Sequence, residues 1–435
     1  MKKINLLFDI SLLLLRHNKN SDRTGIFFVA YNIFRIFEQQ DIFNISIYVS
    51  CEYKYMLPNI KKDTWLSSFN RIVFPNEQIP LSKIKVYKQN LKSTKNLKSK
   101  FKYLLFLCLN LISIGIYRFR TNRYSVQSKL EMIDVYFTPM YGIPNEIMKH
   151  KNIKKFIVLH DTMPLHFPEY YPDYNLPTSW FNRMIDNLDK ETYCICVSQS
   201  TKNDFLYYAS DKLDESRMFI AYNAASHDFK PKYNVELLID VLTKYKIAYN
   251  NNFEYIFSFC SIEPRKNLIF TLQCFIKFIR KHDIQNLCFI LGGPPWEWFN
   301  RVLEEKGIAK DYFDKIIRLG YVDDEDVNIL YSHSLFFTYI SQYEGFGMPP
   351  LEAMQSGTPV ITSNNSSLPE VVGDAAIMID CNSEEQCIKA FEDLYFNRKL
   401  REQYIQKGIE QGKLFSWNKT GEKIIQIMVK AITEK

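Results

Sequence analysis

Two glutamates stand eight positions apart in SQYEGFGMPPLEAMQSGTPVITSNNSSLPEVVGDAA, residues 341–376. They are Glu344 and Glu352, with a glycine turn and a diproline between them. A strand ending near Ile340 carries Glu344 to the carboxyl edge of a parallel sheet, where open α/β folds bind their ligands. Gly345, Phe346 and Gly347 follow, and glycine there lets backbone approach a phosphate closely. Pro349-Pro350 presets a helix start, and Gly357 ends that helix. The first turn, where Glu352 is expected within reach of a ribose, presents N–H groups and a positive dipole end to a diphosphate. Singly, each part has a plainer explanation, since an early-helix glutamate steadies the dipole and a lone Gly-x-Gly is common. In combination they point to a site for phosphate and sugar.

Other positions carry candidate chemistry. Arg265 and Lys266 suit phosphate oxygens, one as a planar fork and the other as a point charge. Alone they would pass for a solvated helix start. His160 alone would read as a satisfied core histidine, and the adjoining Asp161 turn is what raises its interest. Asp323-Asp-Glu-Asp326 resembles an acidic metal motif. A cap at Asp323 or Asp324, for a helix beginning near Glu325, explains those acids through the helix dipole. No metal is assigned.

With these residues in view, a family resemblance stands out. Glu344 through Glu352, here EGFGMPPLE, resembles the Glu-x7-Glu motif of the retaining family 4 glycosyltransferases. Ser258-Phe-Cys-Ser-Ile-Glu-Pro-Arg-Lys-Asn267 resembles that family's strand-loop with its phosphate-binding Arg-Lys pair. Gly320-Tyr-Val-Asp-Asp-Glu325 is similar to the loop whose backbone meets the nucleotide base, and Val158-Leu-His-Asp-Thr-Met-Pro-Leu165 to the His-Asp turn beside the donor sugar. Arg23-Thr-Gly-Ile26 resembles the glycine loop after the first strand, and Phe415-Ser-Trp417 a late Phe-Ser-Trp motif. The likeness runs from residue 9 to about 418, leaves out Tyr87–Arg123, and is nearest to enzymes that build bacterial surface polysaccharides.

The resemblance implies roles. Arg265 and Lys266 neutralise the leaving diphosphate; Glu344 contacts hydroxyls of the donor sugar, and Glu352 the ribose. Gly345, Phe346 and Gly347 give backbone contacts near sugar and phosphate, and Val322 belongs to the loop at the base. His160 sits near the anomeric region, and Gly25 packs against the diphosphate from the opposite domain. Three departures stand out. Cys260 occupies the place of a second cation, Ala224 and Ala225 replace a hinge glycine, and Trp296-Glu-Trp298 is bulky.

The elements that must position these groups alternate along the chain. Ile4–Phe8, Ile45–Val49, Val135–Thr138, Lys155–Leu159, Tyr193–Val197 and Met218–Ala221 read as strands of a first half. Tyr255–Phe259, Cys288–Leu291, Ile316–Leu319, Leu335–Tyr339, Pro359–Thr362 and Ala376–Ile379 read as strands of a second. Helical patterns such as Leu268–Arg280 and Val327–His333 lie between, the signature of βαβ units and covered parallel sheets. The expected fold class is α/β, and the resemblance makes it GT-B: two facing Rossmann-like domains with parallel sheets and a cleft between them. Residues 1–228 form the acceptor-side domain and 229–418 the nucleotide-sugar domain, with a hinge near 223–232. The last helix, within 419–435, is expected to return to the first domain.

Composition sets the outer limits. At 435 residues, with 46% hydrophobic and 24% charged residues, the chain is globular and large enough for two cores. Its net charge of +7 is local: twelve Lys or Arg and no Asp or Glu lie between Lys83 and Lys129. Inside that segment Tyr103–Tyr117 is nearly unbroken apolar sequence, shorter than the roughly 20 residues of a membrane span. It reads either as a buried unit or as an interfacial element whose flanking cations, over 83–123, grip anionic lipid. Nucleic acid is not an expected partner, because no binding motif accompanies the basic residues. Nine cysteines, odd in number and without Cys-x-x-Cys spacing, read as buried free thiols of a reducing compartment. Lys2-Lys3 and a short apolar run reaching Asp9 suggest no secretory leader, hence a cytoplasmic protein on the inner face of the plasma membrane.

The expected activity is retaining, metal-independent transfer of a hexose from a nucleoside-diphosphate sugar to a glycan or polyprenyl-diphosphate-linked acceptor. No cofactor is expected, and the Glu263–Asn267 form of the loop implies GDP-mannose as the donor. A non-catalytic membrane-associated partner of a glycan-assembly complex, or a sugar-nucleotide epimerase on the same scaffold, are the alternatives.

Overall fold

The structure, a computed structural model, describes residues 3–17, 25–49, 72–73, 130–175, 179–250, 252–261, 263–293 and 299–433. The basic stretch 83–123 with its apolar run 103–117, Arg23, Thr24, Cys51, Cys108 and the segment 296–298 lie outside the described residues.

Among the described residues, thirteen strands form two sheets. The first contains β1 (Ile4–Asp9), β2 (Phe43–Tyr48), β3 (Ile72–Val73), β4 (Val135–Thr138), β5 (Lys154–Leu159), β6 (Tyr193–Cys196) and β7 (Met218–Ile220), in the order β3-β2-β1-β4-β5-β6-β7. The second contains β8 (Glu254–Phe259), β9 (Leu287–Gly292), β10 (Ile316–Gly320), β11 (Phe337–Tyr339), β12 (Val360–Ser363) and β13 (Ile377–Ile379), in the order β10-β9-β8-β11-β12-β13. The pairing is parallel, for example β1 with β2 and β4, and β8 with β9 and β11. The apolar runs expected as strands fall within a residue or two of these bounds; β3, only two residues long, gave no such signal.

By its contacts the chain forms two compact units, Met1–Ile157 with Arg183–Tyr193 and Met428–Lys435, and Val158–Asn182 with Cys194–Ile427. In the first unit, Phe8 of β1 stacks on Phe137 at 5.3 Å and meets Phe34 of the helix Gly25–Glu38 at 4.8 Å. Asp9 closes β1 with a buried carboxyl that accepts from Ser11 N–H at 2.9 Å and from Tyr136 Oη at 3.1 Å. Burial pushes that carboxyl up to about 6, against the pull of those hydrogen bonds.

In the second unit, the helix Leu268–Lys281 presents Leu272, Phe275, Ile276 and Ile279 at helical spacing to the sheet. Phe275 meets Phe289 of β9 at 5.3 Å, and Phe278 meets Phe391 of the helix Glu384–Phe396 at 5.9 Å. Asn267 makes the sharp entry to the first of these helices in the left-handed region (φ 55°), and its Nδ2 donates to the Cys381 carbonyl at 2.7 Å.

The strand order of the second sheet reverses direction between β8 and β11: β9 and β10 extend one way, β12 and β13 the other. Loops leaving two adjacent strands in opposite directions open a crevice at the carboxyl edge, the ligand position of open α/β sheets. The loops concerned are 260–267 and 340–347, which carry Arg265, Lys266 and Glu344.

One expected cap differs. Asp323 does sit at the N-cap of the helix Asp324–His333, but its carboxylate makes no capping bond. It accepts instead from Lys244 Nζ at 2.6 Å, the same ammonium that binds Asp326, so an ion pair outcompetes the backbone amides. Among the described residues, seven cysteines are free, five of them buried, and no helix is long and apolar enough to cross a membrane.

Phe275 is fully buried, so Phe275→Ala should lower the unfolding free energy by about 3–5 kcal/mol in urea titrations, through lost burial and the cavity left behind. A loss below about 1 kcal/mol would mean that this aromatic contact does not brace the second sheet.

Candidate active site

The site is built around Glu344, whose side chain is 10% exposed. Its Oε1 accepts from Arg265 Nη1 at 2.9 Å and from Lys266 Nζ at 2.7 Å, and both cations are as deeply buried. Burial alone would raise the carboxyl; the charges of Lys266 and Arg265 outweigh it and hold the group down at about 2. Arg265 makes further bonds: Nε donates to Glu263 Oε2 at 3.0 Å and Nη1 to the Tyr343 carbonyl at 3.1 Å. Tyr171 Oη in turn donates to Glu263 Oε2 at 2.6 Å. Glu263 is held below the usual carboxylate range: burial pushes it up, but Arg265, Ser261 and Tyr171 prevail. Lys266 also hydrogen-bonds the Tyr339 hydroxyl and lies 4.9 Å from that ring. The three predicted residues Arg265, Lys266 and Glu344 are therefore one hydrogen-bonded cluster. Glu263, Tyr171 and Tyr339 complete it, although only Glu263 lay in a motif.

Backbone bonds fix the two loops to each other. Gln342 N–H donates to the Arg265 carbonyl at 2.7 Å, and Ser341 Oγ reaches the same oxygen at 3.0 Å. The glycine turn is then braced from behind. The carbonyl of Glu344 accepts from Ser367 Oγ, that of Gly345 from Ser198 Oγ and Thr201 Oγ1, and that of Phe346 from Ser367 Oγ. Glu344 N–H donates to Ser366 Oγ at 3.0 Å, with Ser366 in the left-handed region at φ 48°. A strained residue at a binding loop persists only where its surroundings over-determine it.

Gly345 has a steric reason to be glycine. A Cβ there would lie 2.0 Å from the His160 carbonyl oxygen and 2.9 Å from Asp161 Cβ, so only hydrogen allows the turn to meet the His160–Asp161 segment. His160 and Gly345 are thus brought together through backbone. Asp161 is raised by burial, with Met163 N–H on Oδ1 at 3.1 Å resisting. Phe346 sends its ring into the core against Phe415 at 5.8 Å, leaving its backbone for the site.

The helix after the turn spans Met348–Gln355, with Gly347 (φ 110°) at its N-cap. Glu352 is its fifth residue, in the second turn and not the first. Pro349 and Pro350 occupy the second and third positions and have no N–H to offer. Directional donation toward an anion therefore falls to the amides of the glycine turn and Met348. The far end closes with Gly357 at φ 76°, Thr358 N–H reaching the Ala353 carbonyl and Gly357 N–H that of Met354. Glu352 stands apart from the Glu344 cluster and accepts from Tyr331 Oη at 3.2 Å. Burial raises its carboxyl to about 7 despite that bond, with Asp324 adding to the rise. Val322 is buried beside Gly292, at the end of β9. Gly25 opens the helix Gly25–Glu38 in the first unit and is exposed. Cys260 carries a thiol that burial pushes up to about 11, so it supplies no charge where a second cation was looked for.

Comparison with known proteins identifies a family and a fold. Residues 242–411 match the family described as glycosyl transferases group 1. O-antigen chain mannosyltransferase B of Escherichia coli is 32% identical over 286 residues, 64% of this chain and 71% of that protein. WaaG, a glycosyltransferase involved in lipopolysaccharide biosynthesis, shares the fold with a TM-score of 0.60 and 13% identity, over 99% of this chain and 100% of WaaG. Anabaena HepE, solved with UDP-glucose, superposes with a TM-score of 0.63 and 12% identity, over 98% of this chain and 100% of its own. The Rossmann-like parallel sheets are those of the GT-B class.

Because Glu344 drops from an unfolded value of 4.5 to about 2, its stabilising contribution is complete above pH 4.5 and disappears as pH falls toward 2. Denaturant unfolding from pH 7 down to 3 should show this acid loss, and Glu344→Gln should remove its share while destabilising the protein at pH 7. An unchanged acid limb in that variant would mean the two cations do not set the carboxyl's ionisation.

Proposed function

The chain belongs to the group 1 glycosyl transferases, and from that premise we propose that it moves mannose from GDP-mannose to a growing lipid-linked surface glycan, with retention of configuration. The observation that carries the reading is the buried cluster of Arg265, Lys266 and Glu344 at the direction change of the second sheet. The name of the E. coli relative supports mannose and a surface glycan, and HepE with UDP-glucose supports a nucleotide-sugar donor.

At rest, Glu344 and Glu263 neutralise the two cations. An arriving diphosphate competes for Arg265 and Lys266 and frees Glu344 to accept from donor-sugar hydroxyls. As the bond from the anomeric carbon to the diphosphate breaks, charge grows on a phosphate oxygen, and the cations, the turn amides and the dipole of the Met348 helix stabilise it. That oxygen takes the proton of the acceptor hydroxyl, which attacks from the same face; this front-side course retains configuration and needs no separate base. Glu352 receives the ribose hydroxyls, Val322 lies at the base, and His160 and Gly25 attend the anomeric carbon and the diphosphate. Residues 229–418 hold the donor and 1–228 the acceptor. The basic residues of 83–123 hold the protein on anionic lipid at the cytoplasmic face.

Calorimetric titration with a panel of nucleoside diphosphates should select guanine, with affinity about tenfold to a hundredfold weaker in Lys266→Ala. Ribose hydroxyls donate to an ionised carboxylate, so affinity should rise with pH through about 7 and level off above it, and Glu352→Gln should flatten the profile. No binding by any nucleotide would defeat the donor site; turnover of donor sugar without acceptor would favour an epimerase.

In flotation, the chain should rise with phosphatidylglycerol vesicles at low salt and stay behind at high salt. Failure to float at low salt would refute the lipid contact.

A further inference from the structure

A row of aromatic rings leads away from the Glu344 loop toward the surface of the same unit, and the transfer reaction leaves it without a use. It begins at Tyr343, whose Oη donates to Asp204 Oδ2 at 2.7 Å and accepts from Thr162 N–H at 3.2 Å. The ring of His166 lies 4.4 Å from that of Tyr343, Tyr208 stands 5.3 Å from His166 edge-on, and Tyr207 lies 4.9 Å from Tyr208. A branch runs from Tyr343 to Phe167 at 6.3 Å, and on to Tyr170 at 5.8 Å with near-parallel rings. Exposure climbs outward, from 6% at Tyr343 to 36% at Tyr208 and 80% at Tyr207, with Tyr170 at 44%.

Tyr207 and Tyr208 offer adjoining exposed rings and Tyr170 a third on the other branch, and exposed apolar surface gathered in this way is a candidate binding place. The charges around them restrict what that is. Asp204 lies within the row, Glu169 precedes Tyr170 and Asp173 comes three residues after it, and Asp211 follows the helix Gln199–Ala209 that carries Tyr207 and Tyr208. Of the nearby cations, Lys202 is engaged by Glu215 at 3.2 Å and Lys212, next to Asp211, has partners of its own, while His166 Nε2 lies 3.6 Å from Asp204 Oδ2. An anionic lipid surface or a phosphate backbone would meet these carboxylates unfavourably. A neutral polyol would not: its C–H faces pack on the negative faces of the rings, and its hydroxyls donate to the carboxylates and phenols.

We propose that this row is a track for the acceptor glycan, holding the neutral sugar residues behind the one being extended. The row is continuous with the Glu344 loop, since Tyr343 immediately precedes Glu344 and its carbonyl binds Arg265. The direction assigned to the chain, growing end at Glu344, rests on the transferase reading; the binding of an oligosaccharide does not. Such a track makes long acceptors better substrates than short ones, because each further residue adds a ring contact.

The test uses α-linked mannose oligosaccharides of increasing length and the full chain, read by saturation-transfer NMR and calorimetry. Wild type should bind longer oligomers more tightly. The double variant Tyr207→Ala/Tyr208→Ala should weaken the longest by about tenfold, with Tyr170→Ala giving a separate loss on the other branch. Nucleotide affinity and thermal unfolding report whether the variants remain folded. Absence of oligosaccharide binding by wild type, or equal binding by folded variants, would overturn the track, as would loss of vesicle flotation in its place. Nucleotide binding without oligosaccharide binding overturns the track alone; oligosaccharide binding lost in the variants, with no nucleotide bound by wild type, overturns the donor reading alone.

Discussion

One carboxylate oxygen, Glu344 Oε1, receives both an arginine and a lysine in a place where all three side chains are at most a tenth exposed. Removing three charges from water is costly, and the arrangement holds only because each group has partners close by. Arg265 has a second carboxylate and a carbonyl, and Lys266 has the Tyr339 hydroxyl. The sheet supplies the proximity. Residues about 80 positions apart meet because β8 and β11 are neighbours and their loops leave in opposite directions. A buried pair broken on one side leaves an uncompensated charge, at about 3–5 kcal/mol, so this cluster constrains what either loop can become.

A second constraint is the space at Gly345. The His160 carbonyl occupies the position that a side chain would need, and Ser198, Thr201 and Ser367 hold the carbonyls of residues 344–346 from behind. The turn is rigid because hydroxyls from two distant stretches tie it, while Phe346 roots it in the core. Glu352 shows the opposite balance. Ionising it works against its surroundings, so its charge weakens the fold progressively as pH rises from 4.5 through about 7. A group placed for binding rather than for stability behaves in this way.

Much of this was legible from residue order alone. Parallel strands buried on both faces announce themselves as apolar runs, and β1, β4 and β8 fell almost where those runs did. Arg265, Lys266 and Glu344, singled out by their local motifs, do meet in one hydrogen-bonded cluster, whereas Glu352 stands apart from it on Tyr331. What escaped was set by distance in space. Tyr171 joins Glu263 across 92 positions and Tyr339 joins Lys266 across 73, and nothing local signals either bond. Asp323 takes the expected N-cap position but not the capping bond, because capping propensity describes a residue in isolation, whereas Lys244, 79 positions away, offered it a full charge. The second-turn position of Glu352 was missed because Pro349 and Pro350 sit one place deeper in the helix than a first-position proline.

Those two prolines separate properties that helix starts normally combine. The dipole of the Met348–Gln355 helix keeps its positive pole, since that field comes from the whole stack of peptide units. The amide donors of the second and third residues are gone. An anion at this end is therefore drawn by a field with little angular preference, while bonds that demand alignment come only from the glycine turn. A group swivelling from ester to free leaving group can keep its attraction while it exchanges one set of aligned bonds for another.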